Sequence, residues 1–287
     1  MSRFFRVWLP TLLLSLILLW AGLVEPRWIV LRQLNAHLKN WPQDRTRVAI
    51  LSDFHIGSIH MDTERLDRLV ARVNREQPDL VLFLGDFTYS GDVRANDPAR
   101  MEEIATILGH MEAPLGRYAV LGNADARFEP SRLTEALLGH GIHPLKNENR
   151  RIQVNSGAFH LAGVNHPFTG GADLNRSLAG ITPGQPVLLM THDPEMIKHL
   201  NRENLFALAG HTHGGQVRLP GMPALVMASD LPRSWAWGLI RHHAQWLFVT
   251  AGLGTEGVPL RFLRFPEWVL MTISPGDPDA SLGETHY

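Results

Sequence analysis

Short and almost wholly apolar runs recur along this chain and alternate with segments of helical periodicity. The runs at residues 46–52, 79–85 and 117–122 are typical of buried strands. Between them, Thr63 is predicted to cap one helix, and Asp97-Pro98 is predicted to open another. Strands that alternate with helices in this way favour an α/β fold.

Later apolar runs predict further strands at residues 158–164, 186–192, 205–211, 246–252 and 268–274. With 287 residues, 45% of them apolar, the chain is long enough for one large domain or two small ones. Its 27 Lys and Arg residues are balanced by 28 Asp and Glu residues, which disfavours a dedicated nucleic-acid-binding protein. The absence of cysteine excludes disulfides, thiolate metal sites and cysteine nucleophiles.

The N-terminus carries an uncharged apolar run at residues 7–24, bounded by Arg6 and Glu25. Its length is close to the minimum of about 18 residues for a membrane-spanning helix. A cleaved signal peptide or a buried helix also fits the run, but no small-x-small cleavage site follows it. We therefore predict an uncleaved single anchor, and positive charges on both flanks leave the side of the membrane open.

These patterns divide the chain into four predicted segments. The first is a membrane anchor at residues 1–27, followed by a polar connector at residues 28–45. The folded domain is predicted at residues 46–274, and residues 275–287 are predicted to form a flexible tail.

Metal-capable side chains stand where several predicted strands end. They are Asp53, His55, Asp86, Asn123, His192, His211 and His213. Each alone is an ordinary turn or cap residue, but ligands of open α/β sheets bind outside the carboxyl ends of the strands, where these groups can converge. Carboxylate, imidazole and amide donors together suit Mn²⁺, Fe or Zn²⁺. The Asp-x-His and His-x-His patterns also predict that alternate side chains share one side of an extended segment.

The order and spacing of these residues resemble the calcineurin-like metallophosphoesterase superfamily. The motifs are Asp53-x-His55, Gly85-Asp86, Gly122-Asn123-x-Asp125, His192 and Gly210-His211-x-His213. The segments at residues 192–194, 210–221 and 252–268 further resemble its bacterial membrane-anchored branch, which includes UDP-2,3-diacylglucosamine pyrophosphatase-like enzymes. The resemblance extends from about Glu25 to Ile273.

The resemblance implies an α/β fold, an αββα sandwich of two sheets preceded by one transmembrane helix in a bacterial inner membrane. It also implies two divalent or trivalent metal ions, which would be Mn, Fe or Zn. The first ion would be held by Asp53, His55 and His213, and the second by Asn123, His192 and His211, with Asp86 bridging the two. The residues implied in catalysis are Asp86, Asn123, Asp125 and His192.

Ala124 departs from the pattern of the family. Many relatives carry a histidine at this position, beside an aspartate that orients it, to assist the leaving oxygen, and another branch carries arginine. Alanine can do neither, so poor leaving groups would suffer most, and a pyrophosphate or an ester of an acidic alcohol least. Arg127, His60 and His166 are open as substitutes, and each also has a surface or structural interpretation.

The leading hypothesis is hydrolysis of a phosphoester or pyrophosphate bond by a metal-bound hydroxide, on a small or lipid-linked substrate at the membrane. The alternative is a non-catalytic metal-binding or scaffold protein that lost turnover with the missing histidine at Ala124. A nuclease is disfavoured by the neutral charge and the anchor. Trp235 and Trp237 would suit an acyl chain or the membrane surface, and equally the core or a lid.

Overall fold

The computed structural model describes residues 3–198, 200–222, 224–225, 227, 229–277 and 284–286. Its helices are α1 (Arg3–Leu19), α2 (Thr63–Arg75), α3 (Pro98–Gly109), α4 (Asn123–Ala126), α5 (Pro130–Gly139) and α6 (Leu174–Ser177). A π-helical turn (Trp20–Val24) and a 3-10 turn (Glu25–Arg27) extend α1. Further 3-10 turns lie at Pro167–Thr169, Pro194–Ile197, His213–Gly215 and Arg233–Ala236.

The strands form two sheets. The first is seven-stranded and contains β1 (Val30–Leu38), β2 (Thr46–Leu51), β3 (Leu80–Phe83), β4 (Arg117–Ala119), β5 (Ile142–Pro144), β12 (Glu267–Pro275) and β13 (Glu284–His286). The second is six-stranded and contains β6 (Glu148–Val154), β7 (Gly157–Gly163), β8 (Val187–Met190), β9 (Leu205–Ala209), β10 (Gly238–His242) and β11 (Gln245–Val249). Their orders are β13-β1-β12-β2-β3-β4-β5 and β10-β11-β9-β8-β7-β6.

Each sheet has a parallel centre. Strands β2, β3, β4 and β5 run parallel in the first sheet, and β7, β8, β9 and β11 run parallel in the second. Parallel neighbours end at the same edge, so the loops that follow them lie side by side. The predicted strands in both halves of the chain are confirmed, and their loops carry the polar residues singled out above.

The two sheets pack face to face over a core that both of them supply. Ile50 and Leu82 of the first sheet belong to the same buried cluster as Leu188 and Phe206 of the second. Helices α2, α3 and α5 cover the outer face of the first sheet through a second cluster. The short helix α6 and the turn Pro194–Ile197 lie over the outer face of the second. The protein is therefore an α/β sandwich of two sheets with helices outside, as the resemblance implied.

Strand β1 corrects the predicted connector. Residues 28–45 were expected to be polar linker, but β1 pairs in parallel along its whole length with β12. Its alternate residues Leu34, Ala36 and Leu38 are buried between the sheets. The prediction failed because Arg32, Gln33, Asn35 and His37 interrupt the apolar pattern, although the alternation itself is typical of a half-buried strand.

Two smaller expectations also change. The cap of α2 is Asp62, whose carboxylate accepts the Arg65 N–H, and Thr63 is the first helical residue. In the expected tail, β12 extends to Pro275 and β13 pairs antiparallel with β1. Residues 278–283 and 287 of that tail lie outside the described residues.

Within the described part of the chain, one helical segment is long and apolar enough to cross a membrane. It covers Trp8–Arg27, has a mean hydropathy of 1.8 and is 11% buried. Its apolar side chains therefore have few protein contacts, unlike those of a core helix. The end of the segment docks on the domain, where the Arg261 N–H donates to the Ala21 carbonyl and the Arg264 N–H donates to Glu25.

Candidate metal centre

The loops after β2 and β9 bring together a first group of candidate ligands. The side chains of Asp53, His55 and His213 offer ligand atoms that lie within 4.8 Å of one another. The Nε2 atoms of His55 and His213 are 3.1 Å apart, and His213 Nε2 lies 3.6 Å from Asp53 Oδ1. All three side chains are buried. This is the set that the resemblance assigned to the first metal ion.

A second group lies beside the first, on the loops after β3, β8 and β9. Ligand atoms of Asp86, His192 and His211 again lie within 4.8 Å of one another. His192 Nε2 is 3.2 Å from His211 Nδ1 and 3.0 Å from the Oδ1 atom of Asn123, at the start of α4. The structure therefore brings all of the predicted ligands to one edge of the sandwich.

Asp86 stands between the two groups. Its Oδ2 atom lies 3.6 Å from His55 Nε2 and 3.3 Å from His192 Nε2, while Oδ1 accepts the Ala124 N–H at 2.7 Å. Burial tends to raise the pKa of Asp86, but the charge of His192 and its hydrogen bond hold that pKa well below the usual range. Asp86 is thus a buried carboxylate placed within reach of both groups.

Most of these residues have unusual backbone conformations. Positive φ angles occur at Asp53 (54°), His55 (46°), Asp86 (56°), His211 (71°) and His213 (52°). The left-handed region is uncommon for residues other than glycine, and such conformations concentrate at functional sites. The expected extended Asp-x-His and His-x-His segments are therefore wrong. His211 and His213 turn into different groups, while Asp53 and His55 share one.

Buried polar atoms without partners test whether metal ions fit here. Asp53 Oδ2 and His213 Nδ1 are buried and have no hydrogen-bond partner among the described residues. Burial, followed by the neighbouring His55, lowers the pKa of His213 well below its ordinary value, so this imidazole is neutral and able to coordinate. Unpaired carboxylate oxygen and neutral imidazole nitrogen atoms are suitable donors for a divalent cation, so the first group fits one. In the second group, the donor set of carboxylate, imidazole and amide oxygen fits one as well.

A comparison with known proteins now identifies the family. The sequence profile described as calcineurin-like phosphoesterase matches residues 46–215, a span that includes both ligand groups. The chain belongs to the calcineurin-like phosphoesterases. The match is to the family as a whole, of which the UDP-2,3-diacylglucosamine pyrophosphatase-like enzymes are one branch.

Similar members of the family include bacterial and vertebrate proteins. This phosphoesterase is 31% identical to an uncharacterized metallophosphoesterase of Bacillus subtilis, YkoQ, over 76% of this chain and 79% of that protein. It is 30% identical to a transmembrane protein with metallophosphoesterase domain of Danio rerio, over 75% of this chain and 50% of that protein. A solved dimetal phosphatase of Danio rerio is 12% identical, with a TM-score of 0.46, over 76% of this chain and 90% of that chain.

Asp125 of the phosphoesterase, which the resemblance implied in catalysis, bonds the loop of Asp86 as well as the start of its own helix α4. Its carboxylate is buried and accepts backbone N–H groups of Asp86 (2.9 Å), Phe87 (2.9 Å), Thr88 (3.3 Å) and Gly122 (2.9 Å). Burial and the charge of Asp86 raise the pKa of Asp125 to about 7, against the effect of these donors. Asp125 therefore joins the loops that carry Asp86 and Asn123.

Two orienting contacts were missed by the sequence analysis. The Glu256 Oε2 atom lies 3.2 Å from His55 Nδ1, and Ser90 Oγ donates to the other oxygen of Glu256. His192 Nδ1 donates to the Leu84 carbonyl at 2.7 Å, and this contact turns the Nε2 atom towards the second ligand group. Nothing in the spacing of the motifs points to Glu256, which is far from His55 in sequence and is brought near it by the fold.

The alanine beside Asn123 is fully enclosed, since Ala124 is 1% exposed. Of the three suggested substitutes for a histidine there, Arg127 is exposed and His60 bonds the Pro259 carbonyl through Nε2. Of the three, His166 is the one with ring contacts to the candidate ligands. Its ring centroid lies 5.8 Å from that of His192 and 6.2 Å from that of His211. Its Nδ1 accepts the Phe168 N–H, so the neutral ring carries its proton on Nε2.

Proposed function

We propose that this calcineurin-like phosphoesterase hydrolyses a phosphoester or pyrophosphate bond with two metal ions, on a small or lipid-linked substrate at a membrane. The observation that supports this most directly is the position of Asp86. One buried carboxylate lies within reach of ligand groups from both sheets. A structural metal site needs only one closed group of ligands, whereas paired and partly open groups suit catalysis.

In this proposal, Asp53, His55 and His213 hold one ion, and Asn123, His192 and His211 hold the other, with Asp86 shared. When bound there, the ions would supply a lowered pKa for a bound water molecule and neutralisation of the charge on phosphoryl oxygen atoms. We propose manganese as the ion to test first, because oxygen and imidazole donors suit it.

The protein's own part is to hold these donors in place. Asp125 fixes the Asp86 loop through four backbone N–H groups, and Glu256 and the Leu84 carbonyl orient the two imidazoles behind the ligand atoms. Such supporting contacts typically change metal affinity or activity by about 10- to 100-fold. The site opens to a cavity of about 160 Å³ beside Asn123 and His211, which is where a phosphate group can enter.

The enclosed Ala124 guides the choice of substrate. No side chain at this position can donate to a leaving oxygen, so we propose bonds whose leaving group is stable without a proton, such as a pyrophosphate or an ester of an acidic alcohol. A UDP-2,3-diacylglucosamine pyrophosphatase-like reaction meets this requirement. The helical segment Trp8–Arg27 would hold the domain at the membrane, as a single-pass anchor of a bacterial inner membrane.

Hydrolysis assays on the full-length protein test the proposal. The Mn²⁺-loaded protein in nonionic detergent is offered bis-nitrophenyl phosphate, nucleotides and a UDP-acylsugar. We expect turnover of at least one of them, abolished in Asp86→Asn and retained in Asp67→Asn, an exposed position on α2 that undergoes the same change of carboxylate to amide.

The second candidate function is a metal-binding scaffold without turnover. Ala124 favours it, because the family histidine is absent while the ligand groups are intact. Under this alternative, the protein binds metal, and Asp86→Asn changes the amount of metal bound per chain. The protein nevertheless hydrolyses none of the substrates in the panel. That combination would contradict the proposed hydrolase and leave the scaffold in its place.

A further inference from the structure

A second cavity, rich in arginine, adjoins the candidate metal centre. It has a volume of about 420 Å³, and its walls include Arg218, Arg233 and Arg264. Among the described residues that line it, none is a carboxylate. Gly214, which is in its wall, directly follows the candidate ligand His213. The cavity is therefore a positively charged neighbour of the metal centre, and the proposed hydrolysis gives it no role.

Arg264 is the most firmly built part of this cavity. It is 7% exposed, and its guanidinium carbon lies 3.8 Å from the centroid of the Trp237 ring. A Cβ atom on Gly214 would lie 2.6 Å from Arg264 Cδ, so glycine is what allows this side chain to pass behind the metal-site loop. The Nε atom of Arg264 is buried without a hydrogen-bond partner among the described residues. Arg264 is thus a buried cationic side chain at the cavity, and its Nε–H has no acceptor among the described residues.

The nearby carboxylate does not supply the missing partner. Glu267 Oε1 accepts Trp237 Nε1, Thr250 Oγ1 and the Ala251 N–H, and it lies 3.6 Å from Arg32 Nη1. Arg32 covers Trp237 at 4.0 Å, so the indole contacts two guanidinium groups. Burial lowers the pKa of Arg264 to about 10, with Glu267 opposing this effect. Glu25, whose carboxylate accepts the Arg264 N–H, is a second carboxylate close to Arg264. Arginines still outnumber carboxylates around the two cavities, and a bound anion would offset this excess of positive charge.

A neighbouring cavity of about 410 Å³ leads from these arginines towards the N-terminal helix. It shares Arg218, Trp237 and Arg264 with the first cavity, and its other walls are Val30, Leu31, Arg32, Leu263, Phe265 and Glu267. Phe265 contacts Trp28 with ring centroids 5.9 Å apart, and Trp28 contacts Trp20 at 6.4 Å. The two cavities together place a cationic pocket at one end and, at the other, a row of apolar side chains beside Arg32 and Glu267 that faces the candidate membrane segment.

We propose that the arginine cavity binds the phosphate group of an amphiphile whose apolar chain lies along the Leu31 and Phe265 cavity. Guanidinium groups match phosphate oxygen atoms with paired N–H donors, and their weak hydration suits them to a partly buried site. Arg218 and Arg233 are more accessible than Arg264 and would close over the phosphate from the solvent side. This site is separate from hydrolysis and does not require it.

Equilibrium binding to the full-length protein in nonionic detergent tests the inference. The probes are dihexanoyl phosphatidic acid, inorganic phosphate and dihexanoyl phosphatidylcholine, titrated by calorimetry into the protein with Mn²⁺ or with EDTA. The variants are Arg218→Ala and Arg233→Ala, which change accessible side chains, and the control is Arg75→Ala on the exposed surface of α2. The EDTA arm reports on the arginine cavity without metal at the neighbouring centre.

We expect dihexanoyl phosphatidic acid to bind in both arms and more tightly than inorganic phosphate or phosphatidylcholine. Each arginine variant should weaken this binding about tenfold, as loss of a charge-assisted hydrogen bond does, and Arg75→Ala should change it less than twofold. Unchanged affinity in both arginine variants would overturn the site. Equal affinity for phosphate and lipid would overturn the amphiphile and identify free phosphate as the ligand. Absence of hydrolysis leaves these results unaffected, so the two proposals fail separately.

Discussion

Ala124 stands where the resemblance implied a histidine, and the structure shows that the loop around it is held by its backbone. The backbone N–H of Ala124 still donates to Asp86, so the loop is kept although the side chain is small. His166, on another loop, brings an imidazole next to His192 and His211. An imidazole from a different part of the chain therefore lies beside two of the candidate ligands.

We predict that Ala124→His raises the rate on alkyl phosphoesters more than on nitrophenyl phosphoesters. A leaving-group donor helps most where charge on the departing oxygen is costly, and general acid assistance is typically worth about 10² to 10⁴ in rate. Steady-state rates on matched esters, with metal content measured in parallel, check this. Equal effects on both esters would instead indicate that the place beside Asn123 is already filled by His166 or by the substrate.

Asp125 is the second residue whose role the structure changes. We predict that Asp125→Asn weakens Mn²⁺ binding about 10- to 100-fold, the usual cost of losing a group that orients ligands. It should also lower the free energy of unfolding by about 1–3 kcal/mol, because an amide leaves buried N–H donors unpaired. Metal titration and urea unfolding measure the two effects. Metal affinity equal to that of Asp67→Asn would show that Asp125 does not position Asp86.

At the scale of elements, β1 ties the segment after the apolar helix into the sheet. Leu34 is 2% exposed and packs between the sheets, whereas the adjacent Asn35 is exposed. We predict that Leu34→Ala lowers the free energy of unfolding by about 2–5 kcal/mol, and that Asn35→Ala changes it by less than about 0.5 kcal/mol. Urea unfolding of the two variants measures this difference. Similar values for both would mean that β1 is dispensable, as a linker is.

The sequence allowed the parallel strands to be predicted because their residues are buried on both faces. Runs such as Leu80–Phe83 and Leu205–Ala209 are short and wholly apolar, which is typical of a strand buried on both faces. Strands β1 and β6 escaped prediction because polar residues interrupt their apolar pattern. Strands β6 and β10 are also the two edge strands of their sheet, and most of their side chains are exposed or half-buried. Their assignment depends on partners that are distant in sequence.

The candidate ligands were predictable, but their geometry was not. Motif order identified each of them, including the separate groups that His211 and His213 enter. The spacing suggested an extended segment, but Asp53 and His55 have a left-handed backbone. Their backbone N–H groups donate to the Gly85 and Asp86 carbonyls of the neighbouring loop, a contact that the spacing does not reveal. Glu256 and the Leu84 carbonyl carry no local signal, since their role arises only from long-range contacts.

In the molecule as a whole, the apolar helix has few contacts with the sandwich, apart from the end of the segment that docks on it. We predict that deleting residues 1–24 gives a soluble domain with activity on water-soluble substrates within about twofold of the full chain, because Glu25 and its bond to the Arg264 N–H are retained. Size-exclusion chromatography and hydrolysis assays check this. A truncated protein that folds and binds metal but fails on every substrate accepted by the full chain would make the helix part of the site.

The metal content of the purified protein shows whether a two-metal centre is built around Asp86. After loading with Mn²⁺ and desalting, elemental analysis should find close to two metal equivalents per chain, because both ligand groups are complete. Asp86→Asn should lose metal from both groups, since it removes the carboxylate that lies within reach of each. A wild-type protein that retains no metal after this treatment would contradict the account.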